Sequence, residues 1–337
     1  MNRTFIIYAI LISLFITTLG FFFYFYQQVQ IFDKKLEETN SSETRSSKHH
    51  FVLIGEEMGH DYWRLVGEGA KKAESRYDVV VQYEGGPKRS NPDEQLKLFD
   101  MAIKSKVDGI IIQALNDEFT PMINKAVKKG IPVITIDTDA PESMRSTYIG
   151  TDNYKAGQMA GQALIEDTDG KAIIGIVTGG MDKDNHQHQL RLEGFKDTIA
   201  QVEGIKIVAM AESNLSRVKA EEKAYEMLTE HDDITAFYGT SSLDGMGIVA
   251  AANNLNKNDL YVMTFDTLTE NIRLLKKGKI DAIVGQQPFE MGEKSIEIML
   301  DLLTGGNSVQ DVYQTNVTII RTSDLPLKGS ERMGLLD

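Results

Sequence analysis

The chain has 337 residues, no cysteine and a formal net charge of −13 at pH 7. So acidic a balance argues against a nucleic-acid surface, which needs clustered Lys and Arg. The missing thiols exclude disulfides, a cysteine nucleophile and a thioether-linked lipid anchor.

No charged residue lies between Arg3 and Asp33, and residues 5–26 form a long apolar run. As a helix, 22 such residues would span about 33 Å, close to the roughly 30 Å of bilayer hydrocarbon. A cleaved signal peptide is the rival reading, but its apolar core is about 7 to 15 residues and ends in small residues. Here the aromatic run Phe21 to Tyr26 stands in that place. The sequence therefore predicts an uncleaved anchor over 5–26, with Arg3 and the terminal amine on the cytoplasmic side and the body outside the cell membrane. Residues 27–50 begin with Val29, Phe32 and Leu36 on one helical face and become rich in Ser, Thr, Glu and Lys. That composition buries too little apolar surface to fold and predicts a juxtamembrane stalk.

From Phe51 onward, short β-branched runs alternate with helical patterns. Phe51–Gly55, Val79–Tyr83, Gly109–Gln113 and Pro132–Asp137 suit strands buried on both faces, with helical spacing over 94–104 and 120–129 between them. The pattern restarts with Ala172–Val177, Ile205–Ala209, Ile234–Tyr238, Leu260–Asp266 and Ala282–Val284. This order predicts an α/β protein of two Rossmann-like lobes, each with a parallel sheet and right-handed crossovers. Between the halves, Ser146 to Asn153 reads as a strand leading directly into a helix over 154–165, whose Ala156, Gly157, Ala160 and Gly161 allow close packing. Such a passage suits a hinge.

In open parallel sheets, ligands sit beyond the carboxyl ends of the strands. Those ends carry Gln113, Asp137, Thr240 with Ser241, Asp266, and Gln286 with Gln287, while the first strand leads to Asp61-Tyr62-Trp63. Asp137 or Asp266 alone could simply cap a following helix. Together, in both halves, these groups suit a ligand with many hydroxyls and an apolar ring face.

On these residues the chain resembles the periplasmic sugar-binding family typified by ribose-binding protein, which shares its lobes with the lactose-repressor regulators. Tyr62-Trp63 resembles the family's sugar-stacking pair, and Lys129 to Asp137 its fourth strand with the sugar-binding Asp. Ile149 to Asn153, with Ala156-Gly157, is similar to its first hinge crossing. Arg191-Leu-Glu-Gly-Phe195 resembles the R-x-x-G-F segment, Thr264-Phe-Asp266 the G-F-D strand end, and Gln286 the hinge glutamine. The resemblance implies a type I periplasmic binding fold with a multi-strand hinge. Its lobe 1 would be 51–151 plus 287–315, and its lobe 2 would be 152–286 plus 316–325. It also implies a monosaccharide ligand held by Tyr62, Trp63, Asp137, Arg191, Asp266 and Gln286. Where the ribose-type pattern has other residues, this chain has His60, Gln113, Thr138, Leu215 and Ser241. Ribose itself is therefore a poor fit, and another pentose, a hexose or a polyol is expected.

Asp182 to Gln189 reads as a polar loop at the cleft edge. As a calcium loop, Asp182, Asp184 and Glu193 are well spaced, but Gln187 stands where glycine is needed. As a zinc site, His186 and His188 supply too few ligands. Gly179-Gly180 lacks the lysine of a phosphate loop. No metal and no cofactor is expected. Catalysis lacks a nucleophile motif; Asp137 and Asp266 could pair as in a glycosidase, but the resemblance is to a family that does no chemistry, so a non-enzyme is expected. Two partners suit lobes that close on a ligand at a membrane: a sensor histidine kinase, or the permease of an ATP-driven (ABC) sugar importer. The membrane anchor favours the first. A transcription regulator would need a helix-turn-helix where the apolar run stands.

Overall fold

The computed structural model describes residues 17–30, 49–86, 91–181, 186–305 and 308–325. Residues 17–30 form a helix, α1, within a unit separate from His49 onward. Among the described residues no helix is long and apolar enough to cross a membrane. Residues 5–16 of the expected anchor and 31–48 of the expected stalk lie outside the described residues.

The unit from His49 contains two six-stranded sheets. The first has strands β1 (His49–Glu57), β2 (Val79–Gly86), β3 (Gly109–Ile112), β4 (Val133–Ile136), β5 (Thr147–Thr151) and β11 (Val312–Thr315), in the order β11-β5-β4-β3-β1-β2. The second has β6 (Ala172–Thr178), β7 (Ile205–Glu212), β8 (Ala236–Gly239), β9 (Tyr261–Phe265), β10 (Ala282–Gly285) and β12 (Thr318–Arg321), in the order β12-β10-β9-β8-β6-β7. The two orders repeat one another. Every pairing is parallel except β10 with β12. β1 starts at His49, so His49 and His50 are paired strand residues and not the end of a stalk.

The strands Ile110-Ile111-Ile112 and Val133-Ile134-Thr135-Ile136 are buried throughout, because helices cover both faces of a parallel sheet. Those helices are α2 (Asp61–Arg76), α3 (Pro92–Lys104), α4 (Phe119–Lys128), α5 (Asn153–Asp167), α6 (His186–Ile199), α7 (Arg217–Glu230), α8 (Ser242–Asn254), α9 (Thr269–Lys276) and α10 (Pro288–Thr304). Local chemistry starts them: Asn91 caps α3 ahead of Pro92, Asp152 caps α5, Ser241 caps α8, and Pro288 opens α10.

The chain passes between the sheets three times. β5 ends in the first sheet and α5 packs on α6 beside the second; β10 ends in the second sheet and α10 packs on α2 beside the first; β11 and β12 then return one strand to each. Each lobe is thus completed by a strand added at the third passage, β11 in the first and β12 in the second, and the polar ends of the strands face one interlobe gap.

The candidate sugar-binding cleft

The two central aspartates are built alike. The backbone N–H of Asp137, just past β4, donates to the Ile149 carbonyl at 2.9 Å, and that of Asp266, just past β9, to the Val284 carbonyl at 3.0 Å. Both then turn into the left-handed region, at φ +65° and +69°, which Asp tolerates better than most residues. That turn takes each carboxylate off the strand line. Neither caps a helix: β5 is the element after Asp137, and α9 starts at Thr269 with no side-chain cap.

Around Asp137, the Tyr62 hydroxyl donates to Oδ1 at 2.5 Å, and Gln113 Nε2 and Thr138 Oγ1 donate to Oδ2 at 3.0 and 3.2 Å. The Tyr148 hydroxyl holds its backbone carbonyl at 2.9 Å. Burial pushes the Asp137 carboxyl above the usual range; the Tyr62 bond and Arg191 oppose this, while Glu56 and Asp266 reinforce it. Burial, then the charge of Asp137, hold the Tyr62 phenol protonated. Tyr62 meets Trp63 edge-on at 5.6 Å, and His60 caps α2 just before the pair by accepting from Tyr62 N.

Arg191, on α6, is buried. Its Nε donates to Asn153 Oδ1 at 2.8 Å, its Nη1 donates to the Thr240 carbonyl at 2.9 Å, and its guanidinium lies 4.0 Å over the Phe265 ring. It is not a surface helix residue paired with Glu193 or Asp197; Asp197 accepts from Tyr154 instead. Gln286 links the hinge to the second aspartate. Thr151 Oγ1 donates to Gln286 Oε1 at 2.7 Å, and Gln286 Nε2 donates to Asp266 Oδ1 at 2.6 Å.

One cavity of about 90 Å³ gathers His60, Tyr62, Trp63, Gln113, Asp137, Arg191, Leu215, Ser241, Asp266 and Gln286, so ten of the eleven residues singled out from sequence share a single space. Thr138 lies apart from it: it bonds Asp137 from behind and lines the neighbouring groove. Leu215 adopts φ +54° beside Asn214 at φ +50°. Larger grooves exist, of about 370 Å³ between α2 and α10 and about 460 Å³ beside the cavity. Neither combines aromatic faces with convergent hydrogen-bonding groups from both aspartates.

Sequence reading passed over Glu56 and Leu115, which also line the cavity; Gln187 and His188, from the segment expected at the cleft edge, line it too, and Asn153, expected in the hinge crossing, holds Arg191. The expected polar loop at 186–189 is the first turn of α6, and His188 is buried with its ring 3.0 Å from Thr240 Oγ1. Asp182 and Asp184 lie outside the described residues; among those described, no group of three or more His, Asp or Glu is placed to hold a metal ion.

The profile of the periplasmic binding protein domain matches residues 51–307. The chain belongs to the type I periplasmic sugar-binding protein family. It is similar to GanP, a glucose-galactose binding protein from Geobacillus stearothermophilus, at 48% identity over 84% of this chain and 100% of GanP, with a TM-score of 0.78. It is similar to the protein solved as the XylFII–LytSN complex, at 34% identity over 82% of this chain and 99% of that one, with a TM-score of 0.74. It is also similar to the ribose import binding protein of Escherichia coli strain K12, at 23% identity over 81% of this chain and 91% of that protein. The family accounts for the two repeated sheets and for the cleft between them, and the GanP and ribose import relatives are sugar-binding proteins.

The hinge link makes a testable prediction. Gln286→Leu would leave the Thr151 hydroxyl and one Asp266 oxygen without their bonds, at a cost of about 1–3 kcal/mol. Because Thr151→Val removes part of the same link, the double variant should lose less than the sum of the two single losses in urea melts. Additive losses would show that the link carries no coupling.

Proposed function

We propose that this chain is a membrane-anchored extracytoplasmic receptor that closes its two lobes on a monosaccharide and presents the closed shape to a membrane sensor kinase. The observation that carries the ligand class is the meeting of Asp137, Arg191 and Asp266 with the Tyr62-Trp63 pair in one cavity. Carboxylates and a guanidinium make charge-assisted bonds to hydroxyls, and the aromatic pair offers an apolar face to ring C–H groups. Contacts from both lobes favour the closed form, so the ligand shifts the population by its differential affinity for that form. The 48% identity to a glucose-galactose binding protein supports those two hexoses as the first to test.

The sensor reading is supported by the apolar run over 5–26 and by a 34%-identical neighbour solved in complex with a second protein. Delivery to an ABC importer is the second reading, favoured by the similarity to a ribose import binding protein. Co-purification from membranes with and without sugar separates them: a histidine kinase recovered with the full chain supports sensing, whereas a permease with its ATPase overturns it.

Trp63 is the only tryptophan in the chain, so its emission reports directly on the cleft. Titrating the full chain with glucose, galactose, xylose, ribose and arabinose should give saturable fluorescence change with at least one sugar. At one hundred times its dissociation constant that sugar should stabilise the fold by about 2.7 kcal/mol. No response to any monosaccharide, or stabilisation by divalent metal alone, would remove the ligand assignment.

A further inference from the structure

The cavity does not end at its own walls. Leu115, Asp137 and Gln187 line it and also line the groove of about 460 Å³ beside it, so the two spaces meet at these residues. Leu115 follows β3 in the first lobe and Gln187 lies in the first turn of α6 in the second, so the passage has a lip from each lobe. The cavity of about 90 Å³ is small beside the roughly 300–1,000 Å³ usual for small-molecule sites, and cavity and groove together reach that range. Two buried acceptors stand along this path. Gln113 Oε1 in the cavity and Gln187 Oε1 at the passage have no hydrogen-bond partner among the described residues, whereas Gln113 Nε2 is used on Asp137 and Thr138. A buried acceptor left open is costly unless whatever enters donates to it. The groove beyond offers the half-buried ring of Tyr148, whose hydroxyl is fixed on the Asp137 carbonyl at 2.9 Å, and the side chains of Asn116 and Thr120 around the start of α4.

We propose that the cleft also takes sugars in glycosidic linkage, with one ring in the cavity and a second ring in the groove, the link passing between Leu115 and Gln187. This deepens the monosaccharide reading above and rests on it: the inner ring makes the contacts already assigned to Asp137, Arg191, Asp266 and the Tyr62-Trp63 pair. A disaccharide suits the path better than a sugar carrying a plain apolar group. Hydroxyls flanking its link pass Gln187 Oε1 and can donate to it. Its outer ring meets what a second pyranose needs, an aromatic surface with a carboxamide and a hydroxyl nearby. The groove's rim at Asp117 and Glu142 is exposed, so hydroxyls of the outer ring that find no partner stay in water. Because the lips of the passage belong to different lobes, a ligand lying across it touches both, and its outer ring adds to the differential affinity for the closed form.

The test is calorimetric titration of the full chain with glucose, galactose, xylose, ribose and arabinose, and with cellobiose, maltose, lactose, galactobiose and xylobiose. Expected is that at least one disaccharide binds more tightly than the free sugar it contains, by about tenfold, as one or two added hydrogen bonds and a partly buried ring face provide. Asn116→Phe and Thr120→Phe each carry a ring into the groove at positions that do not line the cavity. Each should cancel the gain, weakening the disaccharide by about tenfold while the free sugar binds as before. Either variant serves if the other fails to fold, and the wild-type comparison stands alone if both fail. A wild-type chain that binds a free sugar, but no disaccharide more tightly than the free sugar it contains, overturns the inference and leaves the monosaccharide reading standing. So does a disaccharide advantage that neither variant moves. If no sugar binds at all, it is the ligand reading itself that has failed.

Discussion

Arg191→Met should abolish detectable sugar binding and destabilise the unliganded fold by about 2–4 kcal/mol, the loss of two hydrogen bonds to a charged group together with a cation–π contact. A buried arginine replaced by an apolar side chain is often harmless when its partners go with it. Here they stay. Asn153 Oδ1 and the Thr240 carbonyl lose their donor at 2.8 and 2.9 Å, and the Phe265 ring loses the cation 4.0 Å above it. The cleft is left with Glu56, Asp137 and Asp266 and, among the described residues, no guanidinium.

The same substitution carries a pH signature. Burial raises the Asp137 carboxyl above its unfolded value, and Arg191 works against that rise. A folded group that holds its proton more tightly than the unfolded chain contributes stability below the unfolded pKa, and that stability is lost as pH climbs through the folded value. Without Arg191 the folded value moves further up, so the loss should extend to higher pH in the variant than in the parent. Urea melts between about pH 4 and pH 7 read this directly. A variant that melts like the parent across that range and still quenches Trp63 with sugar would show that Arg191 is a bystander.

How much of this site the sequence discloses depends on where each residue sits in a pattern. Buried strands announce themselves as β-branched runs, and a polar residue ending such a run, as Gln113 or Asp266 does, stands out against it. Asp137 stands out too, although its neighbour in the element order is β5, so the capping alternative dissolves only once that strand is known. Glu56 hides because a charge beside Glu57 reads as the strand leaving the core; only the fold shows β1 running on through Glu57 with Glu56 inside. The cleft-edge position of Gln187 and His188 is legible, but their helix is not, because the run His186 to Gln189 has no apolar period. The Thr151–Gln286 bond joins residues 135 apart. No local rule places those two together; they meet because each stands where the chain crosses between the sheets, at the end of β5 and just after β10.

The crossings also explain why one small residue outside the cavity lining should matter for binding. Helices α5 and α6 touch backbone to backbone: a Cβ at Gly194 would sit on the Tyr154 carbonyl oxygen, and one at Gly157 on the carbonyl oxygen of Arg191 itself. Neither obstacle is a side-chain tip that can swing aside. Gly194→Ala must therefore part the helices, at a cost of about 2–3 kcal/mol. Because α6 carries Arg191 and α5 begins at Asn153, parting them stretches the bond of 2.8 Å that aims the guanidinium. Sugar affinity should fall by about tenfold, as expected when a positioned charged group is displaced by a fraction of an ångström. Gly278→Ala supplies the contrast. That glycine has φ +63° and nothing near its missing Cβ, so the substitution should cost about 1 kcal/mol through backbone strain alone and leave affinity unchanged. If Gly194→Ala loses stability but binds sugar as tightly as Gly278→Ala, the aim of Arg191 is set by Asn153 and Thr240 without help from the helix contact.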